Sequence, residues 1–421
     1  MKRVLMVAYH FPPLAGSSGI QRTLRFVQHL PKLGWQPLVL STNTRAYERI
    51  SHDLDADLPS GTVVRRAFAL DSARHLSLWG RHVAALARPD RWVSWKLDGV
   101  RQGMKMIREF RPDVLWSTYP IATAHLIGAE LHRRSGIPWV ADFRDPMAQD
   151  GYPADPATWQ QFKAIEKQAV DNAQCCMFTS PGAARVYRER YPDAAARIEV
   201  LENGYDEESF AAAQTGLPRE ALNPGCITLL HSGVVYASER DPTQLFVALG
   251  RMKASGRLGP SALKLRFRAA VHEPMLHRLA AEHGVQDMIE VCPPLPYKAA
   301  LQEMLRADVL LVMQAANCNE QIPAKIYEYL RAGRPIVCLS DPHGDTVDVL
   351  RRAGIDRVAP LDSAEQIEHL LAGVLRGEGL RQLPERTIVT QASRERRSAN
   401  LAATMDRLLQ RPPLETKSAA Q

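Results

Sequence analysis

The sequence predicts an α/β fold with two domains, each built on a parallel β-sheet covered by helices. The first observation is length, because 421 residues exceed one ordinary hydrophobic core and favour two domains of about 200 residues each. The second is a recurring order of short apolar run, Gly- or Pro-containing loop and amphipathic helix. The third is that the apolar runs are nearly continuous, which is typical of strands buried on both faces.

Composition and cysteine usage exclude several classes of protein. A hydrophobic fraction of 45% and a charged fraction of 24% are those of a globular protein. No run of 18 apolar residues occurs, and the N-terminus MKRVLMVAYHFPP lacks the cleavage site of a signal peptide, so we expect a cytoplasmic protein. Six scattered cysteines without a CxxC spacing predict reduced core residues, not zinc ligands or disulfides.

The first domain is predicted over residues 1–206. Its strands are expected at Arg3–Phe11, Gln36–Thr42, Asp113–Pro120, Ile137–Pro146, Cys175–Ser180 and Ile198–Asp206. Helices are expected near 20–33, after the third of these strands to about residue 134, and near 156–172. The sequence N-G-Y-D at 203–206 is a tight turn by composition. Gly, Pro and Ala collect after it, so the boundary is expected between Asp206 and Gly225.

The second domain is predicted over residues 207–388. Its strands are expected within 226–232, at Lys264–Val271, Ile289–Cys292 and Asp308–Met313, and from Pro335. A helix over about 389–410 follows, and the tail 411–421 is predicted to be disordered because it is polar and terminal.

The most informative segment is NEQIPAKIYEYLRAGRPIV, residues 319–337, which follows the apolar strand DVLLVM. Pro323 suits a first helical turn near Ile322, and Glu320 and Glu328 would then lie about 12 Å apart along the helix. Glu320 could accept hydrogen bonds from sugar hydroxyls, Lys325 could face a diphosphate, and Glu328 could hold both ribose hydroxyls. The alternative is an amphipathic helix with a Lys325–Glu328 surface pair. The position after a parallel strand favours the ligand site.

This segment resembles a known family. Its E-x7-E pair, running through P-x-K-x-x-E-Y-L to AGRPIV, resembles the donor-site signature of GT-B glycosyltransferases, close to family 4. The resemblance implies two Rossmann-like domains whose parallel sheets face each other across a cleft, with a C-terminal helix crossing back to the first domain. It also implies that Glu328 holds the ribose, that Glu320 approaches the transferred sugar, and that the reaction retains the anomeric configuration.

The resemblance implies further donor-binding residues in two glycine loops. The loop Pro12–Gly19, with Gly16 and Gly19, matches the loop that lines the family's cleft near the donor phosphate and the acceptor. Gly233 follows the first strand of the second domain, and Arg240 matches an arginine that contacts the diphosphate. The family's lysine five residues later is Leu245 here, so Lys325 is expected to supply that charge.

Asp142 and Arg144 are predicted as catalytic residues because they lie where the strand Ile137–Pro146 emerges, the edge that carries function in such sheets. The resembling family often has a histidine there. The alternative, an Asp/Arg pair that stabilises a loop, stays open.

No metal is predicted. The D-x-D string at Asp53–Asp57 follows no apolar strand and is interpreted as a solvated loop. The cations Lys325 and Arg240 and the helix N-termini are expected to stabilise the leaving diphosphate instead.

The basic segment Arg65–Arg111 contains eleven basic and four acidic residues, which accounts for the whole formal net charge of +7. With Phe68, Trp79, Trp92 and Trp95 it suits an anionic membrane surface or a lipid-linked diphosphate. No nucleic-acid recognition motif accompanies the charge. A solvated helix face with buried tryptophans is the alternative.

These observations predict a hexosyltransferase that moves a sugar from a nucleotide-sugar donor, a UDP-sugar, to a glycan or a polyprenyl-diphosphate-linked acceptor. We expect it in exopolysaccharide or lipopolysaccharide synthesis, on the inner face of the membrane. Two alternatives stay open. A sugar-nucleotide epimerase would convert the donor without an acceptor, and a non-catalytic partner protein would neither hydrolyse nor transfer the sugar.

Overall fold

The computed structural model describes residues 1–17, 19–76, 87–259 and 261–410. The predicted disordered tail, 411–421, lies outside these residues. The chain divides into two compact units. Unit 1 comprises Met1–Asn203 and Arg394–Gln421, and unit 2 comprises Gly204–Ser393.

Each unit has its own parallel sheet. The strands of unit 1 are β1 (Lys2–Val7), β2 (Trp35–Thr42), β3 (Val63–Ala67), β4 (Val114–Thr118), β5 (Trp139–Arg144), β6 (Cys175–Phe178) and β7 (Ile198–Val200). The strands of unit 2 are β8 (Ile227–Ser232), β9 (Leu263–Arg268), β10 (Ile289–Cys292), β11 (Val309–Met313), β12 (Ile336–Leu339) and β13 (Val358–Ala359). Their orders are β3-β2-β1-β4-β5-β6-β7 and β10-β9-β8-β11-β12-β13.

Helices connect successive strands, except β2 and β3. They are, in chain order, α1 (Gly19–His29), α2 (Ser72–His75), α3 (Trp95–Phe110), α4 (Ala122–Ser135), α5 (Pro156–Asn172), α6 (Pro181–Arg190), α7 (Glu207–Gln214), α8 (Thr243–Ala254), α9 (Glu273–Glu282), α10 (Tyr297–Arg306), α11 (Lys325–Ala332), α12 (Asp345–Arg352), α13 (Ala364–Leu375), α14 (Arg386–Gln391) and α15 (Arg394–Gln410). The predicted α/β class with two parallel, helix-covered sheets is confirmed.

Both faces of each sheet are buried, as the continuous apolar runs predicted. In β1, Leu5 and Val7 pack into one hydrophobic cluster, while Val4 and Met6 pack into a second cluster. In β11, Val309 and Leu311 belong to one cluster, and Leu310 and Val312 belong to another. Successive side chains of a strand point to opposite faces, so a strand covered on both sides is apolar throughout.

The predicted C-terminal helix is in fact two helices. α14 ends at Gln391, and α15 begins at Arg394. Only α15 belongs to unit 1, where Leu401 and Met405 join the cluster beneath β1. The chain leaves unit 1 after Asn203, three residues before the range from Asp206 to Gly225 in which the boundary is expected. Inside unit 2 the two crossing segments pair, because the N–H of Tyr205 donates to the carbonyl of Ala392 at 3.2 Å.

Two short strands have no counterpart in the sequence prediction. β3, with the sequence VVRRA, is an edge strand that is only partly buried. β13 has two residues. Neither presents the long apolar run that identifies a central strand.

Candidate functional site

The loop after β11 carries Glu320 and is held from two sides. The side-chain Nε2 of Gln314 donates to the carbonyls of Cys318 at 2.7 Å and Gln321 at 3.0 Å. The carbonyl of Asn319 accepts the N–H of Asp345 at 2.9 Å, and its side chain donates to Asp341 at 2.7 Å. Glu320 is therefore presented, partly exposed, by a loop of defined conformation at the carboxyl edge of the sheet.

A cavity of about 560 Å³ opens beside this loop. Gln314, Ala315, Asp341 and His343 are among its lining residues. The Oε1 of Gln314 is buried and has no hydrogen-bond partner among the described residues. The volume is within the range of small-molecule sites in proteins.

The helix predicted from Ile322 begins at Lys325 instead. Ile322 precedes Pro323, and a residue before proline is disfavoured in the α conformation. Residues 321–323 are therefore not helical. The assumption of a continuous helix from Glu320 to Glu328, on which the spacing of about 12 Å was based, is therefore wrong.

Lys325, the first residue of α11, meets the end of β8. Its Nζ lies 3.4 Å from Nε2 of His231, whose Nδ1 is 3.0 Å from the carbonyl of Leu311. Because a carbonyl only accepts, Nδ1 carries the proton and Nε2 accepts from Lys325. A Cβ added at Gly233, which has φ +131°, would lie 2.5 Å from Nζ of Lys325. Only glycine leaves room for the ammonium group there.

The surroundings of Lys325 lower its pKa. Desolvation, followed by repulsion from the Arg240 guanidinium, lowers the pKa of Lys325 to about 7, against an opposing contribution from Glu328. Burial and the charge of Lys325 lower the pKa of His231 well below its ordinary value, so His231 stays neutral. Lys325 and Arg240 are therefore two neighbouring cationic groups, and the carboxylate of Glu239 lies 3.8 Å from the Arg240 guanidinium. An anion placed there would stabilise the protonated lysine.

Two tyrosines position the rest of α11. The hydroxyl of Tyr297 donates to Oε1 of Glu328 at 2.8 Å. The hydroxyl of Tyr329 accepts the N–H of Ser232 at 2.9 Å, which joins α11 to the end of β8. The sequence interpretation missed His231 and Tyr297. A histidine inside the apolar run ITLLHS and a tyrosine closing PLPY were the available signals.

Asp142 in unit 1 is committed to an ion pair. It is 0% exposed, and its two oxygens accept from Nε and Nη2 of Arg22, both at 2.8 Å. The hydroxyl of Thr118 donates to the same carboxylate at 2.9 Å. We therefore replace the predicted catalytic role of Asp142 with a positioning role, since a bidentate, buried carboxylate is shielded from a substrate. Arg22, on the buried side of α1, was not identified from sequence.

Arg144 has a different environment. Its backbone has φ 63° at the end of β5, and its side chain is only partly exposed. A Cβ at Gly19 would lie 2.7 Å from Nη1 of Arg144 and 2.9 Å from Nδ1 of His10. Gly16 is exposed with φ +81°, and Ser18 of the same loop lies outside the described residues. Gly19 thus lies next to the side chain of Arg144, and Gly233 lies next to the side chain of Lys325.

The described part of the basic segment contributes both to the interior and to the surface of unit 1. Trp95 is fully buried, and the indole of Trp92 donates to the carbonyl of Ala46 at 3.1 Å. Arg66 donates to the carbonyls of Pro12 and Thr42. Trp79 and Arg81 lie outside the described residues. The alternative of buried tryptophans is therefore correct for Trp95, and Trp92 is partly buried, whereas Phe68 and Leu97 are 53% and 82% exposed.

Within the described residues, no group of three or more His, Cys, Asp or Glu side chains is placed to hold a metal ion. In the D-x-D string, Asp57 pairs with Arg25 at 2.9 Å. None of the helices in the described ranges is both long and apolar enough to span a bilayer.

Residues 18–204 match the Glycosyl transferase 4-like domain. No curated protein matches the sequence. Together with the two parallel, helix-covered sheets, this match confirms the resemblance to GT-B glycosyltransferases.

Solved structures share the fold of the whole chain at low sequence identity. Sucrose-phosphate synthase from Thermosynechococcus elongatus is 15% identical with a TM-score of 0.65, covering 97% of this chain and 98% of that chain. An α,α-trehalose 6-phosphate synthase from Burkholderia multivorans is 13% identical with a TM-score of 0.66, covering 99% and 100%. Anabaena HepE in complex with UDP is 13% identical with a TM-score of 0.60, covering 97% and 98%.

Proposed function

We propose that this protein transfers a sugar from a UDP-sugar bound on unit 2 to a glycan or lipid-linked acceptor, without a metal ion. The observation that carries the proposal is the cluster of Lys325 and Arg240 beside Gly233. Two adjacent cations at a glycine-containing strand end suit a diphosphate, whose negative charge grows as the sugar–phosphate bond breaks. Protein cations would thus do the work that a divalent ion does in other transferases.

The rest of the donor would extend from this cluster along unit 2. Glu328, oriented by Tyr297 at 2.8 Å, would accept hydrogen bonds from the ribose hydroxyls. Glu320 would accept from hydroxyls of the transferred sugar, and the cavity lined by Gln314 would accommodate that sugar beside it. UDP is the proposed nucleotide because HepE, which shares the fold, binds UDP.

The proposed chemistry retains the anomeric configuration. The bond between the anomeric carbon and the diphosphate oxygen breaks, and a bond to the acceptor oxygen forms on the same face. The acceptor proton passes to the departing phosphate oxygen. This part of the proposal rests on the resemblance to family 4, and it is tested by the configuration of the isolated product.

The donor assignment is tested with Glu328→Gln, which removes the carboxylate charge but keeps the size. UDP affinity, measured by calorimetry, is expected to fall about tenfold, since hydrogen bonds to a charged group contribute about 1.5–3 kcal/mol. Glu282→Gln on α9, an exposed carboxylate, is the matched control and should bind UDP like wild type. Unchanged affinity in Glu328→Gln would refute the ribose assignment.

Turnover is tested with a panel of UDP-sugars and glycan acceptors in the presence of EDTA. Transfer should continue after chelation, because the proposed charge stabilisation comes from side chains. Activity that disappears in EDTA and returns with Mg²⁺ would contradict the metal-free proposal. A new sugar nucleotide formed without any acceptor would indicate an epimerase instead.

A cytoplasmic site of action at the membrane surface belongs to the same proposal, with polysaccharide precursors as acceptors. The supporting feature is the exposed side of α3, where Leu97 is 82% exposed next to Lys96 and near Arg101. Apolar and basic side chains together favour anionic lipid surfaces. In a sedimentation assay, the wild type should bind to phosphatidylglycerol vesicles and the Leu97→Glu variant should not. Equal binding of the two proteins would refute the assignment of this surface to the membrane.

A further inference from the structure

Arg144 is an arginine whose guanidinium makes no hydrogen bond or ion pair with any residue in the described ranges, and its buried Nε is among the unsatisfied polar atoms. The carboxylates of Asp145 and Asp142 attract its charge, and they oppose the larger effect of burial, which lowers its pKa. Two other arginines of unit 1 are ion-paired, Arg22 with Asp142 and Arg190 with Glu166, both at 2.8 Å. A guanidinium removed from water without hydrogen bonds is unfavourable, so the position of Arg144 requires an explanation.

The backbone holds Arg144 in a costly conformation. A long side chain at φ 63° is uncommon, because the Cβ crowds the following carbonyl. The pairing of β5 with β6 shifts register between Asp142 and Arg144. The N–H and the hydroxyl of Thr179 both donate to the carbonyl of Arg144 at 2.9 Å. Such conformations persist where the surrounding structure enforces them, and they cluster at functional sites.

The groups around the guanidinium favour an anion. Gly19 is the first residue of α1, and the lack of a Cβ there leaves room for Arg144 and His10. The N-terminal turn of α1 contains no acidic residue, and its dipole attracts negative charge. Burial, followed by repulsion from Arg144, lowers the pKa of His10 to about 3. His10 is therefore a neutral imidazole that can donate a hydrogen bond to an anion.

We propose that Arg144, His10 and the Gly19 end of α1 bind a phosphoryl group of the acceptor substrate. The inference rests on the proposed transfer, in which Lys325 and Arg240 of unit 2 hold the donor diphosphate and leave the cation of unit 1 for the second substrate. A guanidinium fork matches the oxygens of a phosphoryl group. The acceptor is then a phosphorylated molecule, either a sugar phosphate or a polyprenyl-linked phosphate.

Calorimetry with inorganic phosphate tests the site directly in the full chain. Arg144→Gln is expected to weaken phosphate binding at least tenfold while UDP affinity stays within twofold of wild type. Arg185→Gln, an exposed arginine of α6, is the control and should change neither affinity. Unchanged phosphate binding in Arg144→Gln would overturn the proposal, and so would an equal loss of phosphate and UDP, which would assign Arg144 to the donor.

A stability measurement separates this role from a structural one. Without anion, Arg144→Gln should melt at or above the wild-type temperature, because an unpaired charge is removed, whereas added phosphate should raise the melting temperature of wild type only. A lower melting temperature together with wild-type phosphate binding would show that Arg144 is structural and overturn the proposal.

Competition identifies the source of the phosphoryl group. Glucose 6-phosphate and geranyl phosphate are each titrated against bound phosphate, and displacement by either one in wild type but not in Arg144→Gln supports the site. Displacement by neither one would overturn the acceptor assignment. If UDP fails to bind while the phosphate result holds, the proposed transfer fails and the anion site stands. If UDP binds and phosphate does not, the anion site on unit 1 fails and the proposed donor site stands.

Discussion

Each unit holds a cationic side chain near the carboxyl ends of its strands, but only the cation of unit 1 is paired with a carboxylate. In unit 1, Arg22 is matched by the carboxylate of Asp142, with two hydrogen bonds of 2.8 Å. In unit 2, Lys325 contacts the neutral ring of His231 at 3.4 Å and makes no ion pair among the described residues. A cation that is paired with a carboxylate of the same unit stabilises the fold. A cation that the fold leaves unbalanced is available to an anionic ligand.

The largest expected effect is on the paired cation. Asp142→Ala leaves Arg22 buried without a counter-charge, and breaking a buried pair in this way costs about 3–5 kcal/mol. Urea denaturation should show this loss in the free energy of unfolding. Glu130→Ala, whose carboxylate pairs with Arg133 on the surface at 2.7 Å, should cost less than about 1 kcal/mol. Similar losses for both variants would contradict the distinction between the two ion pairs.

The unpaired cation should show the opposite behaviour. Lys325→Met removes the charge that faces the proposed diphosphate, so UDP affinity should fall about ten- to one-hundredfold, equivalent to a charged hydrogen bond of about 1.5–3 kcal/mol. The free energy of unfolding should be unchanged or higher, because no ion pair is lost. Lys298→Met, an exposed lysine at the start of α10, should leave both quantities unaltered. A destabilised Lys325→Met with normal UDP affinity would reverse the assignment.

The pH dependence of UDP binding sharpens the same comparison. The pKa of Lys325 is lowered to about 7, so its charged fraction decreases as pH rises from 6 to 9. Because the protonated form binds the anion, the dissociation constant should increase with pH, by up to about tenfold per unit above 7. Calorimetry in buffers of different ionisation enthalpy should also detect proton uptake on binding near pH 7.5. Lys325→Met should lose both responses.

The smallest expected effect concerns the orientation of Glu328. Tyr297→Phe removes one hydrogen bond to its carboxylate, and UDP affinity should fall about three- to tenfold, in line with about 0.5–1.5 kcal/mol. Because the change is at the ribose end of the proposed site, the pH dependence due to Lys325 should persist. A Tyr297→Phe variant that loses that pH dependence would mean that Tyr297 acts on the cationic cluster instead.

Local patterns predicted the bounds of several strands and helices. β10 and α5 have the predicted bounds, Ile289–Cys292 and Pro156–Asn172. The start of α11 was predicted three residues too early, because the effect of Pro323 on Ile322 was not considered. For the segment of basic and aromatic residues the sequence leaves a membrane surface and a helix face with buried tryptophans open, and Trp95 is fully buried. Composition alone does not show which face of a helix is covered.

The sequence by itself determined the α/β class and the succession of strands and helices, and it contains the motif with Glu320, Lys325 and Glu328 that resembles a donor site. The class and the succession follow from hydrophobic periodicity, which local physics controls. Only the tertiary structure decided the partners of the charged groups. Arg22 and Asp142 are 120 residues apart, and Lys325 and His231 are 94 residues apart. The state of a charge depends on its neighbours in space, and these are determined by the packing of distant segments.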